Sequence, residues 1–150
     1  MRDILFRGQT RRKGEYIVNM AGDKCESHWV YGGIFPQNKD GDFTIIYQQE
    51  PEIRKFTVYA ETVGQYTGLT DKNGTKIFEG DIVHCVSKLD SADMVIIFEC
   101  GQFRMILAEK YHEYQTNVGY YDINCFAKEV IGNIHDNPEL LGGENNGINR

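Results

Sequence analysis

Gln65-Tyr66-Thr67-Gly68-Leu69-Thr70-Asp71-Lys72-Asn73-Gly74-Thr75-Lys76-Ile77-Phe78 is the stretch that decides the fold. Two β-prone runs flank Asp71-Lys72-Asn73-Gly74. Asn-Gly between such runs is a strong short-range hairpin signal, because these turns need positive φ and Gly adopts it without steric cost. Glu79-Gly80-Asp81 then makes a tight corner, and a new strand is expected over residues 82–87.

Toward the C-terminus, residues 88–93 read as a polar loop. Residues 94–99 (Met-Val-Ile-Ile-Phe-Glu) are almost continuously apolar, as expected of a strand buried on both faces. Cys100-Gly101 is a turn, and 102–107 returns with Phe103, Met105 and Leu107 on one face. Alternation is weak over 108–128, which leaves room for one short helix around 121–128. Residues 129–134 form a final strand. In Asn137-Pro138-Glu139-Leu140-Leu141, Asn can cap, Pro fits the first helical position and Glu favours the positive helix end, so a helical turn is expected. The Gly/Asn-rich stretch 142–150 reads as a mobile tail.

Toward the N-terminus, residues 3–7 read as a short strand, 8–14 as a basic turn, 15–20 as extended and 21–26 as polar loop. Residues 27–31 (Ser-His-Trp-Val-Tyr) alternate and are expected to stop at Gly32-Gly33. Residues 38–42 form a turn cluster. Strands are expected at 43–48 and 56–59, with Pro51 breaking the segment between them. No internal repeat is visible. Short strands separated by Gly- and Asn-containing turns point to a barrel or sandwich.

Bulk properties agree. At 150 residues the chain suits one domain, or one domain with a substantial extra lobe, and can bury a core without disulfides or metal. Its 41% hydrophobic and 25% charged content is ordinary for a globular protein, and nine Tyr and eight Phe favour strands. The net charge of −6 argues against attraction of the whole chain to phosphate backbones. The charge is uneven: residues 1–16 set Arg2, Arg7, Arg11, Arg12 and Lys13 against Asp3 and Glu15, a local +3 that leaves −9 on the remainder. Cys25, Cys85, Cys100 and Cys125 form no C-x-x-C pair, and the first residues lack an apolar signal core. Reduced thiols, a cytoplasmic location and no membrane span are the expectations.

The groups that could carry chemistry have plainer structural roles. His28, His84, His112 and His135 show no ligand spacing, and adjacent His84 and Cys85 point to opposite faces of a strand. No local nucleophile signature surrounds any Cys. Glu79 and Asp81 share a face across Gly80, where a like-charge pair would raise one pKa; the plainer reading solvates Glu79 and gives Asp81 a backbone-capping role. No phosphate-cradling glycine loop is present. Arg7, Arg11, Arg12 and Lys13 form a basic arm that, with Trp29, Tyr16 and Tyr31 for stacking, would suit nucleic acid; a solvated basic loop is the plainer reading.

The run Thr62 to Val83, together with Phe6-Arg7-Gly8, Trp29-Val30-Tyr31-Gly32, Glu129-Val130-Ile131-Gly132-Asn133-Ile134 and Asn137 to Leu141, resembles the YopX family of bacteriophage and prophage proteins, block by block and in order. Residues 9–28 and 108–128 match no block. The resemblance implies a mainly β fold, with an N-terminal β-rich region over 1–61, an SH3-type barrel over 62–141, few short helices and the tail beyond. It implies a bacterial cytoplasm and carries over no catalytic residue. The expectation is therefore a non-enzymatic phage accessory protein, without cofactor or metal, that binds a protein partner or a second copy of itself. The alternative is a nucleic-acid-binding module using the basic arm. Folding explains most of the motif; Gln65, Tyr66 and Thr67 are left unassigned by it and, with Trp29, Arg11 and Arg12, are the candidate interaction surface.

Overall fold

The computed structural model describes residues 3–10, 17–18, 22, 24–25, 28–35, 43–48, 54–113, 120–124 and 126–142. The chain divides into two units, Met1–Tyr66 and Thr67–Arg150. Both are built from antiparallel strands, and among the described residues the only helical segments are short 3-10 turns. The mainly β expectation holds.

In the first unit, β1 (Phe6–Gln9), β4 (Trp29–Phe35), β5 (Phe43–Gln48), β6 (Arg54–Tyr59) and the opening residues of β7 (Gly64–Thr70) make one sheet in the order β6-β5-β4-β1-β7. Two-residue strands β2 (Ile17–Val18) and β3 (Lys24–Cys25) pair separately. The sheet curls so that β6 crosses β1. A Cβ on Gly8 would meet Val58 Cγ2 at 2.8 Å and Ile46 Cδ1 at 3.1 Å, so only glycine permits this approach. Val58 and Ile46 are almost wholly buried there. A 3-10 turn, η1 (Ala60–Thr62), ties the end of β6 back to β1: Thr62 Oγ1 donates to the Tyr59 carbonyl at 2.7 Å and accepts the Gln9 N–H at 2.8 Å.

Two expectations shift here. The first strand is displaced to Phe6–Gln9 rather than 3–7. β4 does not stop at Gly32-Gly33 but runs through both to Phe35. Pairing overrides their low strand propensity, because Gly32 faces Phe6 and Gly33 faces Tyr47 in the ladders.

In the second unit the rest of β7 turns into β8 (Lys76–Phe78), and β9 (Asp81–Val86), β10 (Ser91–Glu99), β11 (Gln102–Leu107), β12 (Tyr121–Asp122) and β13 (Ala127–Asn133) form a sheet in the order β12-β11-β10-β9-β13. The expected hairpin forms, with a loop of Lys72, Asn73 and Gly74. The Asp71 N–H donates to the Thr75 carbonyl and the Gly74 N–H to the Asp71 carbonyl, and of the two turn residues only Gly74 takes positive φ (80°). A three-residue loop ending in a left-handed Gly thus replaces a two-residue Asn-Gly turn. The corner also forms: Gly80 (φ 87°) donates to the Ile96 carbonyl and accepts the Ile134 N–H.

β10 is buried on both faces, as its apolar run predicts. One face packs Met94 and Ile96 with Ile77, Val83, Cys85, Met105 and Ile123. The other packs Val95 and Ile97 with Ile82, Ile106, Ala108 and Leu141. Each fully buried Ile contributes about 1.5–3 kcal/mol, so this sheet dominates the unit's stability.

The short helix for which 121–128 left room is not seen in the described residues: 121–122 are a strand on β11 and 127–128 begin β13. The helical turns lie at η2 (Ala108–Glu113) and η3 (Pro138–Leu140) instead. β10 starts at Ser91, shortening the expected loop. Asn137 precedes η3 but makes no cap bond; its Oδ1 accepts the Asn133 N–H at 3.2 Å, drawn back by the preceding turn. The turn cluster 38–42 and the tail 143–150 lie outside the described residues.

Candidate functional site

The motif at the centre of the chain is occupied with structure. Asp71, 8% exposed, accepts three backbone N–H groups: Asn73 and Thr75 on Oδ1 at 2.8 and 2.9 Å, and Val130 on Oδ2 at 2.9 Å. Burial raises its pKa, but the bonds from Val130, Thr75 and Asn73 and the Lys72 charge hold it below the usual carboxylate value. The Lys72 N–H donates to the Lys128 carbonyl at 3.1 Å. The turn thereby caps the outer edge of β13, which the sheet leaves open. Lys72 Nζ lies 3.0 Å from Glu129, and its hydrogen bond and charge lower the Glu129 pKa; both side chains are solvated enough for the pair to add little.

Asp81 is 1% exposed and accepts the Phe78 N–H at 2.8 Å, the corner-capping role that the sequence suggests. Thr67, unassigned in the sequence, donates to the Ile77 carbonyl at 2.8 Å and accepts the Leu69 N–H at 3.2 Å, which binds β7 to β8. Tyr66 is 7% exposed, so its ring lies inside rather than on an open surface. Gln65 is half-buried on β7 opposite Phe6. Trp29 lies on β4 with the Arg7 guanidinium 4.6 Å above its ring. Arg11 and Arg12 lie outside the described residues.

Titratable groups elsewhere are dispersed. His84 Nδ1 is 2.7 Å from Asp93 Oδ1 across the β9–β10 ladder, an exposed pair that sequence spacing did not reveal because register alone creates it. Among the described residues no three His, Cys, Asp or Glu side chains stand close enough to hold a metal ion. Cys85 is buried, its thiol pushed up to about 11 by desolvation, and Cys100 is exposed. No helix among the described residues is long and apolar enough to cross a membrane.

What the second unit does present is an aromatic ledge at the β10–β11 hairpin end. Phe98 and Phe103, directly paired across the ladder, meet edge-to-face at 5.0 Å. Tyr121 and Phe126 meet at 6.3 Å. Phe98 is 49% and Tyr121 37% exposed, although they extend the face that buries Ile96 and Met105. On the opposite face Arg104 stacks 5.1 Å from the Tyr120 ring, whose hydroxyl pKa is raised by its hydrogen bond to Glu99. Cys100 (φ 51°) and Gly101 (φ 77°) hold the tip in a tight turn. The ledge residues were all visible in the sequence, but their clustering depends on β12 returning beside β11, where the weak alternation left room for a helix.

A family model described as YopX protein matches residues 21–142. A solved structure described as the crystal structure of protein EF1440 from Enterococcus faecalis is 23% identical, covers 93% of this chain and 98% of its own, and superposes with a TM-score of 0.46. No curated protein matches the chain.

Proposed function

The chain belongs to the YopX family, and we propose that it works as a bacteriophage or prophage accessory protein that binds rather than catalyses, with a protein partner docking on the aromatic ledge of the second unit. The observation that carries this reading is the pair Phe98 and Tyr121, large rings left open at the end of a packed face. Aromatic residues are among the side chains that most often supply binding energy at protein interfaces, and Phe103 and Phe126 back the two open rings on the same face. Charge favours protein over nucleic acid here. Residues 67–150 hold seven Lys and Arg against thirteen Asp and Glu, a balance that repels phosphate backbones. Within this reading the second unit is an SH3-type barrel, the site of action is the bacterial cytoplasm, and a second copy of the chain is the simplest partner.

The experiment is a capture assay from cells carrying the phage or prophage, beside sedimentation of the purified protein. Phe98→Ser and Tyr121→Ser are expected to abolish capture or self-association without altering the melting temperature. A folded double variant that captures and assembles as the parent does would sink the reading.

A further inference from the structure

The first unit carries a different surface. Trp29, Tyr31, Gly33 and Phe35 alternate along β4 and so share one face, and Arg7 and Lys55 join them from β1 and β6 by register. Tyr31 and Phe35 are each 41% exposed. Gly33 places no β4 side chain between them, and the two positions lie about 13 Å apart along the strand. That span accommodates a short stack of bases, which repeat at about 3.4 Å. Lys55 Nζ lies 5.5 Å from the Phe35 ring centroid and the Arg7 guanidinium 4.6 Å from that of Trp29. Arg7, 7% exposed, is held against Trp29, whereas the exposed Lys55 beside Phe35 pairs a stacking ring with a site for phosphate charge.

The charge of this unit does not oppose a phosphate ligand. Residues 1–66 hold nine Lys and Arg and nine Asp and Glu, so the chain's net negative charge resides entirely in residues 67–150. We infer that the outer face of β4 binds single-stranded nucleic acid, with bases stacked on Tyr31 and Phe35 and phosphates met by Lys55. A duplex hides its bases and offers only phosphates, so this face discriminates against it. The inference does not depend on the ledge. It also moves nucleic-acid contact from the basic arm to a strand face.

Labelled oligo(dT) and oligo(rU) of about a dozen nucleotides, a length within common site sizes, test it by fluorescence anisotropy at low salt on the full chain. Trp29, the single tryptophan, supplies a second readout, because a ligand on its strand face changes its emission. Binding is expected, weakened about tenfold or more by Tyr31→Ser or Phe35→Ser, with Lys55→Ala lowering the salt slope by about one. Both ring positions are exposed, so melting temperatures should stay at the parent value. Absence of oligonucleotide binding at low salt overturns the inference. So does binding that survives both ring substitutions, or a duplex bound as tightly as a single strand. Loss of a captured protein in these variants, without oligonucleotide binding in the parent, assigns the face to a protein and overturns it equally.

Discussion

The Asp71 carboxylate accepts the Val130 backbone N–H at 2.9 Å, joining two segments 59 residues apart in sequence. Two further N–H groups from its own turn complete the site. Asp71 therefore acts as a substitute strand edge for β13, and Asp71→Ala would strand all three donors. Bonds to a buried charged group are each worth about 1.5–3 kcal/mol and are not additive, so an overall loss of about 2–4 kcal/mol is expected. Urea titration should show a lower midpoint with an unchanged slope.

The same residue sets an acid limb. Its folded pKa is lowered despite burial, by bonds from Val130, Thr75 and Asn73 and by Lys72. A lowered carboxylate contributes stability that is present above its unfolded value, about 3.9, and is lost as pH falls through the folded value. Stability of the parent should thus decline below about pH 4, and Asp71→Asn should flatten that decline while lowering the plateau. An identical acid limb in the variant would refute the assignment.

Gly8 predicts an overpacking effect. An added methyl would press on Val58 Cγ2 at 2.8 Å and Ile46 Cδ1 at 3.1 Å, so Gly8→Ala should cost about 1–3 kcal/mol. Val58→Ala should destabilise the parent but restore part of the loss in the Gly8→Ala background. A double-mutant cycle measures that coupling.

Cys85 and Cys100 should separate in thiol chemistry. With its pKa pushed up to about 11 by burial and its Sγ 3.8 Å from Met105 Sδ, Cys85 has little thiolate at pH 8. Peptide mapping after brief iodoacetamide treatment should find Cys100 modified and Cys85 intact until denaturant is added.

The strands of the second unit were legible because their signals are local. Asn73-Gly74 and Gly80 mark turns, and the apolar run at 94–97 marks a strand covered on both faces. Three features were not legible because long-range pairing creates them. Gly32 and Gly33 stay in β4 because Phe6 and Tyr47 pair with them. Tyr121 became strand, not helix, because β11 offered an open edge. Thr67 resisted assignment because its partner, the Ile77 carbonyl, comes from across the hairpin. For the candidate site, the sequence supplied the aromatic residues of β4 and the ledge but not their grouping, which only register determines.

The most direct test sets the ledge against an exposed polar pair in a single capture experiment. Phe98→Ser with Tyr121→Ser should lose the protein partner while melting like the parent. His84→Ala, which alters only an exposed cross-strand pair, should keep it. Retention by the ledge variant together with loss in His84→Ala would contradict the account and place the activity on the polar side chains instead.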